Sequence, residues 1–360
     1  MSTAGQPPAA GRTPRPAADD HGLRTVRLCL LGFGSVARAF CALLAQQERA
    51  LAEHHGLRVL VTAAGTRQGS LLAPEGMSPE AVLATVGERP APPQAPRPAD
   101  ELLAASVADV LVELTVMEED FAPVATSHVE SAFRLGMDVV TANKGPIAWN
   151  WRRVAAAAAA ADRRIRFEST VMDGLPVFSL LEFALPDCCL LGFEAVFNAT
   201  TNYIVDAMGI GRSFDEALAH VQAEGYAEAD PSHDIDGWDA ACKAAALANV
   251  AMDAGITPAD IDKQSLRDVP LKRIAQARSN GNRLRLVTNV WRDESGRVRG
   301  RVRATELDID HPLAPVGGES LGAILHTDLM ADVFVCEIAG LVPQTAYGVY
   351  ADLLHLCRRR

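Results

Sequence analysis

The feature that most constrains the fold of this chain is a glycine turn between an apolar run and a helical pattern. Residues 26–47, VRLCLLGFGSVARAFCALLAQQ, predict a buried strand, a turn and an amphipathic helix. The turn fits G-x-G-x-x-G/A and ends on Ala37. Gly32 permits the tight turn, Gly34 lets the backbone approach a pyrophosphate, and free N–H groups near Val36 attract the anion. We therefore predict a dinucleotide site; a tight turn without ligand is the alternative.

Strands and helices then alternate along the first half of the chain. Apolar runs at 57–67 and 108–115 predict two more buried strands. A helix is predicted over 124–135, with Gly136 as its stop, and MDVVTANK at 137–144 predicts the next strand. This alternation indicates an α/β fold with a Rossmann-type, doubly wound parallel sheet.

The second half has a different pattern. Residues 151–161 are rich in alanine and predict a helix. From Ile165 onward, the regular alternation of parallel strands and helices gives way to strand-like segments of another kind. Residues 190–205 and 283–307 show strand-like alternation, the latter around a turn at DESG, which predicts a mixed-sheet α+β unit. Residues 341–357 predict a terminal helix that returns to pack on the first domain.

Composition narrows the partners. The net charge of −11 argues against nucleic acid or an anionic membrane, because both attract clustered positive charge, and favours a small-molecule substrate. The seven cysteines show no C-x-x-C spacing and are interpreted as reduced intracellular thiols. No apolar run approaches the roughly 18 residues of a membrane span, and the segment up to about His21 lacks a secretion core. We expect a cytoplasmic protein with a disordered tail.

The end of the second strand bears on the choice of cofactor. An acidic residue there would accept hydrogen bonds from the ribose of NAD, but VTAAGTRQG contains none. Thr66 and Arg67 stand in its place, and a guanidinium with a hydroxyl suits a 2′-phosphate. The sequence predicts NADP, with NAD as the alternative cofactor and a solvated loop arginine as the alternative role for Arg67.

A rare lysine ends an acid-rich stretch, GYAEADPSHDIDGWDAACK, at 225–243. Arginine supplies most of the positive charge, and the lysines are few: Lys144, Lys243, Lys263 and Lys272. Unlike arginine, lysine exchanges a proton at accessible pH, so Lys243 is a candidate proton donor to a carbonyl oxygen. Asp239 lies four residues before it, on the same helix face. An ordinary helix ion pair is the alternative.

The acids of this stretch outnumber its lysine, so some of them must face another cation. The ammonium group of an amino-acid substrate is such a cation. We place Glu228, Asp234 and Asp239 nearest to a bound amino acid and Lys243.

Seven motifs together resemble the homoserine dehydrogenase family over about residues 26–352: LGFGSVA, VLVELT, VVTANKGPIA, NATTNYIV, the acid-rich stretch, HPLAPV and AGLVPQTAYGVYADLL. The resemblance implies reversible NAD(P)-dependent interconversion of L-aspartate 4-semialdehyde and L-homoserine, in threonine and methionine biosynthesis. It also implies a homodimer or a dimer of dimers, and a short form without a C-terminal ACT domain.

Domain boundaries follow from the same resemblance. We expect a disordered tail at 1–22, an NAD(P)-binding domain at 23–150 completed by 336–360, and a catalytic and dimerisation domain at 151–335.

Matched motif positions imply the site residues. The catalytic residues would be Lys243 and Lys144, with Asp239 orienting Lys243. Substrate contacts would come from Glu228, Asp234, Tyr226 and Thr200. Besides the glycine turn and Arg67, the cofactor would be bordered by Thr115, Asn143, Lys144 and Gly340. A monovalent cation, Na⁺ or K⁺, would lie at Glu168, Val171 and Asp173, held by the Glu168 side chain and by main-chain carbonyls.

Three departures from the family pattern leave the substrate open. Met172 and Asp173 stand where the family has glycines, and Ala199 replaces another glycine. We expect the first two to bring bulk and negative charge to a place where backbone passes close to ligand. A relative that acts on a different aldehyde or hydroxy acid in specialised metabolism is therefore the alternative function. A nucleotide-binding sensor without catalysis is a third hypothesis.

Overall fold

A computed structural model describes residues 22–118, 121–224, 227 and 230–358. Residues 1–21, which make up nearly all of the expected tail, lie outside the described residues. In the described part of the chain, no helix is long and apolar enough to cross a membrane.

The first half builds a six-stranded sheet. Its strands are β1 Arg24–Leu31, β2 Leu57–Gly65, β3 Ser70–Met77, β4 Val110–Glu113, β5 Asp138–Thr141 and β6 Ile165–Arg166. Their order is β3-β2-β1-β4-β5-β6, and every pair is parallel except β2 with β3. The predicted parallel sheet is confirmed. Strand β3 was not predicted from the sequence, because its Pro74 is unusual in a strand and is tolerated here at the edge of the sheet.

Helices cover this sheet and join it to the second half. They are α1 Ser35–Gln46, α2 Glu48–His55, α3 Pro79–Val86, α4 Ala99–Ser106, α5 Pro123–Arg134 and α6 Gly145–Ala161. The predicted strand, turn and helix around the glycine turn are confirmed. The helices predicted at 124–135 and 151–161 correspond to α5 and α6, and α6 begins at Gly145, before the alanine-rich stretch.

The second half builds another six-stranded sheet. Its strands are β7 Leu190–Val196, β8 Asp262–Lys263, β9 Arg283–Arg292, β10 Val298–Leu307, β11 Leu321–Thr327 and β12 Asp332–Glu337, in the order β12-β11-β7-β9-β10-β8. The pairs are antiparallel except β8 with β10, so the predicted mixed sheet is confirmed. The helices are α7 Val177–Ser179, α8 Ala199–Gly209, α9 Phe214–Ala223, α10 Ser232–Ile235, α11 Trp238–Ala251, α12 Leu271–Ser279 and α13 Val342–Cys357.

One predicted strand is partly wrong. Residues 190–205 were expected to be strand-like throughout, but only β7 is a strand and α8 begins at Ala199. The Asn198 side chain accepts a hydrogen bond from the Thr201 N–H at 2.9 Å and caps the helix. This N-cap starts the helix. The sequence pattern predicted a strand here because the segment is rich in β-branched residues, which favour strands.

The terminal helix α13 packs on the first sheet. Its Ala346, Val349 and Leu353 share one buried cluster with Leu28 and Leu30 of β1. Both halves of the chain therefore contribute to the core around the glycine turn.

Candidate active site

The glycine turn after β1 has the space that a dinucleotide needs. Gly32 has a φ of +90°, and a Cβ there would lie 2.7 Å from the Thr115 nitrogen. Gly34 is exposed, and a Cβ there would meet nothing within 4 Å. Among the described residues, no side chain caps the start of α1, so the N–H groups near Val36 can meet an anion. These residues fit the pyrophosphate of NAD(P).

The ends of β4 and β5 meet beside this turn. Asn143 follows β5, and its Nδ2 donates to the Thr115 carbonyl at 3.1 Å. Its Oδ1 accepts from the Gly145 N–H at 2.9 Å, at the start of α6. Thr115 follows β4 and lies against Gly32. The carboxyl edge of the parallel sheet thus brings Gly32, Thr115 and Asn143 together.

Arg67 lies just after the end of β2, next to the glycine turn. The Gly32 N–H donates to the Gly65 carbonyl at 2.8 Å, which holds these two strand ends together. The Thr66 hydroxyl accepts from the Gly69 N–H at 3.1 Å and so stabilises the turn after β2. The Arg67 side chain is exposed at this edge of the sheet.

The two motif lysines meet at one carboxylate. Lys144 Nζ lies 2.9 Å from Asp239 Oδ1, and Lys243 Nζ lies 3.1 Å from Asp239 Oδ2. Lys243 Nζ also donates to the Phe197 carbonyl at 2.6 Å. Lys144 precedes α6 in the first half of the chain, whereas Asp239 and Lys243 belong to α11. The ion pairs therefore join the cofactor edge of the sheet to the second half of the chain.

Burial and charge act against each other in this cluster. Burial alone would raise the pKa of Asp239, but the two lysine ammonium groups and the Asn198 amide hold it far below its usual range. Burial alone would lower the pKa of Lys144, yet the charge and hydrogen bond of Asp239 raise it above the ordinary value. Burial, followed by the nearby charge of Asp239, raises the pKa of Asp234. The cluster keeps Asp239 ionised between two cations.

Asn198 organises the acids, although it was not singled out from the sequence. Its Nδ2 donates to Asp234 Oδ1 at 2.8 Å and to Asp239 Oδ2 at 3.0 Å. The Thr200 side chain also hydrogen-bonds Asp234. An asparagine just before a helix is a recognisable N-cap signal, and that signal could have identified this residue.

Two predicted substrate residues cannot be placed. Tyr226 and Glu228 lie outside the described residues. Their contacts to substrate stay a prediction.

The side chain of His233 lies close to the carboxylates of Asp234 and Asp239, and the three together could in principle bind a metal ion. Ligand atoms of His233, Asp234 and Asp239 lie within 4.8 Å of one another. Both oxygens of Asp239 are already paired with lysine ammonium groups. A metal ion bound to Asp239 would face two positive charges, so Asp239 suits the role of counter-charge to the lysines better than that of metal ligand.

The loop predicted to hold a cation is buried and hydrogen-bonded. The Glu168 carboxylate accepts from the N–H groups of Phe178 at 2.7 Å and Ser179 at 2.8 Å, and from the Ser179 hydroxyl at 2.5 Å. Burial raises its pKa. Val171 is in the core, at 1% exposure. The Glu168 side chain thus supports the start of α7.

The side chains of Met172 and Asp173, which replace family glycines in this loop, point in different directions. Met172 is fully buried and packs in the core cluster that contains Ile147 and Phe178, so the expectation that it adds bulk to the pocket is wrong. Its apolar side chain gains more from the core than from the pocket wall. Asp173 is half-buried and lies against Gly340, which also neighbours Glu337. The negative charge is therefore beside a predicted cofactor residue, while the bulk is not.

Comparisons with known proteins decide the family. The family model described as "Homoserine dehydrogenase" matches residues 176–354, and "Homoserine dehydrogenase, NAD binding domain" matches residues 32–168. The NAD(+)-dependent homoserine dehydrogenase of Pseudomonas canavaninivorans is 31% identical over 336 residues, which cover 92% of this chain and 96% of that relative. The chain belongs to the homoserine dehydrogenase family. It is an NAD(P)-dependent oxidoreductase.

Solved structures of the family share the fold. A putative homoserine dehydrogenase from Archaeoglobus fulgidus superposes with a TM-score of 0.82 at 26% identity, and the match covers 92% of this chain and 99% of that one. A hyperthermophilic archaeal homoserine dehydrogenase in complex with NADPH gives a TM-score of 0.77 at 27% identity, with 92% and 97% covered. The likeness in fold therefore extends over both halves of the chain.

Proposed function

We propose that this member of the homoserine dehydrogenase family interconverts L-aspartate 4-semialdehyde and L-homoserine, with NADP as the preferred cofactor and Lys243 as general acid and base. The observation that carries the proposal is the carboxylate of Asp239, which holds the Lys144 and Lys243 ammonium groups at 2.9 and 3.1 Å next to the cofactor edge of the sheet.

The chain supplies the proton chemistry of this reaction. When bound, NADPH supplies the hydride. Lys243 donates a proton from Nζ to the carbonyl oxygen in reduction and takes it back in oxidation. Lys144 stabilises the negative charge that develops on that oxygen. Asp239 and the Phe197 carbonyl hold Lys243 in place, so the ammonium does not have to reorient during the step.

The acids beside the lysines suit an amino-acid substrate. Asp234 is half-buried and oriented by Asn198 and Thr200. A substrate ammonium group near Asp234 would offset the cost of burying this carboxylate. We propose that Asp234 and Thr200 contact the substrate together with Glu228 and Tyr226.

The preference for NADP rests on Arg67. Its exposed guanidinium lies just after β2, where no acidic residue is present to bind a ribose hydroxyl. Relatives are named with both cofactors, since one is NAD(+)-dependent and another is in complex with NADPH.

A different aldehyde or hydroxy acid is the second candidate substrate. Asp173 favours it, because this carboxylate adds a negative charge beside Gly340. Ala199 is the first residue of α8 and directly precedes Thr200, one of the proposed substrate contacts.

We propose that two copies form a homodimer through the second sheet. One row of neighbouring residues crosses five strands: Asp332, His326, Gly192, Trp291 and Arg299. Acid and base lie at opposite ends of the row, and the side chain of Trp291 between them is 39% exposed. Two such faces stacked in opposite directions would place Arg299 of one copy beside Asp332 of the other. Within its own chain, Arg299 also contacts Asp293 and Asp332 also contacts His326. A dimer of dimers stays a further prediction.

The other predictions concern the domains, location and cation. We propose the boundaries 23–150 with 336–360 for the NAD(P)-binding domain and 151–335 for the catalytic domain, in a cytoplasmic protein. A monovalent cation near Glu168, Val171 and Asp173 would depend mainly on main-chain carbonyls, because the Glu168 carboxylate already accepts three hydrogen bonds. Activity in Na⁺, K⁺ and a bulky organic cation would test this.

The test of the function is turnover by the purified chain and by Lys243→Arg. We expect oxidation of homoserine with NADP, a lower KM for NADP than for NAD, and loss of that difference in Arg67→Ala. Arginine at 243 keeps the charge but not the exchangeable proton, so kcat should fall by about 10²–10⁴-fold.

Lys272→Arg is the matched control, because Lys272 is exposed on α12. NADPH binding, followed by its fluorescence, should be similar in both lysine variants. Unchanged turnover in Lys243→Arg would remove Lys243 from the role of acid and base. Turnover of another hydroxy acid in preference to homoserine would favour the second substrate class, and cofactor binding without any turnover would favour a sensor.

A further inference from the structure

Asp173 occupies a conformation that suits glycine better than aspartate. Its φ is +47°, in the left-handed region. Glycine adopts this region freely, whereas a side chain makes it strained, although aspartate and asparagine tolerate it better than most residues. Such strain persists where the side chain makes contacts that the surroundings require.

The Asp173 carboxylate lies between two segments at the entrance of α13. Its Oδ1 accepts a hydrogen bond from the Thr345 hydroxyl at 3.1 Å, in the first turn of the helix. Its Oδ2 lies so close to Gly340 that a Cβ there would collide with it. The carboxylate is also near the N-terminal end of a 16-residue helix, where negative charge is favoured.

The loop at 168–174 runs along the terminal helix over about two turns, from Thr345 to Asp352. The Ser169 hydroxyl donates to the Thr345 carbonyl at 2.8 Å, and the Glu168 N–H donates to Asp352 Oδ2 at 2.7 Å. A Cβ at Gly348 would lie 3.1 Å from the carbonyl oxygen of residue 173, so the two backbones are in close contact. The loop leads into the second half of the chain, and α13 packs on the first sheet. The residue at 173 therefore lies at a junction of the two halves.

This junction is adjacent to the reacting groups. Glu337 ends β12 and accepts a hydrogen bond from the Gly174 N–H. Burial, followed by the charge of Asp173, raises the pKa of Glu337 to about 7, and the charge of Lys243 acts in the opposite direction. A Cβ at Gly340 would lie 3.4 Å from Glu337 Oε2. Gly340 is the predicted neighbour of the nicotinamide, so a shift of this corner would change the position of the cofactor relative to Lys243.

We propose that Asp173 is a positioning residue of this dehydrogenase: its carboxylate is a latch that joins the loop at 168–174 to the chain entering α13 and fixes Gly340 relative to Lys243. The latch rests on the proposed function, because its effect is on hydride transfer. A purely structural contact would change stability alone. Loss of a latch changes the position of the cofactor relative to Lys243 while the fold stays intact.

The test compares three substitutions. Asp173→Gly removes the carboxylate and also the backbone strain, so the unfolding midpoint should change little. Its kcat for homoserine should fall about tenfold, with a larger primary deuterium isotope effect, because misplacement by a fraction of an ångström slows the chemical step. Asp173→Asn should stay within about twofold of wild type, because its amide oxygen still accepts from Thr345. Thr345→Val should resemble Asp173→Gly, and the double variant should be no worse than either alone.

Asp162→Gly is the matched control, because Asp162 also has a positive φ, of 51°, and is exposed at the end of α6. It should leave kcat and the isotope effect unchanged. Wild-type kcat and isotope effect in Asp173→Gly would overturn the latch while leaving the function intact. If the wild type does not turn over homoserine, the proposed function fails, and NADPH binding decides on the latch. Weaker NADPH binding in both Asp173→Gly and Thr345→Val would then support it, and unchanged binding would overturn it.

Discussion

Asp239 is the residue on which the charge balance of the site depends. Its side chain is only 9% exposed, and those of Lys144 and Lys243 are 21% and 16% exposed. Bringing three charges out of water is costly, and their mutual attraction offsets this cost only when the geometry is good and the remaining hydrogen bonds are made. Asn198 adds a further hydrogen bond by donating to the carboxylate of Asp239. The net charge of the trio is positive, which suits a site where negative charge develops on an oxygen.

Asp239→Asn should therefore be destabilising in a pH-dependent way. The two lysines would lose their counter-charge, and we expect a loss of about 3 kcal/mol in the free energy of unfolding at pH 7. Because the pKa of Asp239 is lowered in the folded state, its contribution is complete above the ordinary aspartate pKa of about 4 and shrinks as the pH falls below that value. Thermal unfolding of both proteins between about pH 3 and pH 8 checks this.

Asp236→Asn is the control for this comparison, because Asp236 Oδ1 accepts from the Ser265 hydroxyl at 2.6 Å instead of pairing with a lysine. A stability difference between wild type and Asp239→Asn that did not narrow at low pH would contradict the proposed charge balance.

At the scale of elements, the turn between β1 and α1 combines two glycines with different physical roles. Gly32 needs its positive φ and the absence of a Cβ for the fold, because the backbone of Leu114 and Thr115 occupies the space beside it. Gly34 faces open space, so its lack of a side chain matters for what binds there.

Alanine substitution should separate these roles. Gly32→Ala should lower the free energy of unfolding by about 2–3 kcal/mol, because it strains the backbone and overpacks the turn. Gly34→Ala should leave the unfolding midpoint nearly unchanged but weaken NADPH binding at least about tenfold, because its methyl group takes space from the pyrophosphate. Fluorescence titration and thermal unfolding measure the two effects. Tight NADPH binding by Gly34→Ala would show that the cofactor does not approach this turn.

At the scale of the whole molecule, one face of the second sheet is partly exposed around Trp291, and we propose it as the contact between two copies. Next to the row that contains Trp291, a second row crosses the sheet from Phe334 to Arg301. Phe334 is 43% exposed and lies on the same face of the sheet as Trp291, three strands away from it. Exposed aromatic residues on this face, with Asp332 on the edge strand β12 and Arg299 on β10 at the other end of the row, fit an isologous contact between two copies.

Trp291→Asp should therefore yield monomers in sedimentation experiments at concentrations where the wild type is dimeric. Arg299→Glu and Asp332→Arg should each weaken the dimer, and the double variant should recover it, because the charges are exchanged and still complementary. Arg97→Glu is the control, since Arg97 is exposed in the loop before α4. A wild type that sediments as a monomer would contradict this interface.

The sequence by itself determined the local chemistry of this protein. The glycine turn, the alternation of strands and helices and the lysine among acids could be predicted because each depends on residues close together in the chain. The hairpin of β9 and β10 was predictable for the same reason. The helix at α8 was not, because the β-branched residues of the segment outweighed the Asn198 N-cap in the sequence pattern.

Only the tertiary structure decided which of these groups meet. Lys144 and Asp239 are far apart in sequence and lie 2.9 Å apart in the fold, and the loop at 168–174 meets α13 across an even longer separation. Met172 and Asp173 are neighbours in the chain, yet one enters the core and the other faces Gly340. Side-chain direction depends on the packing of distant elements, and no local pattern records it.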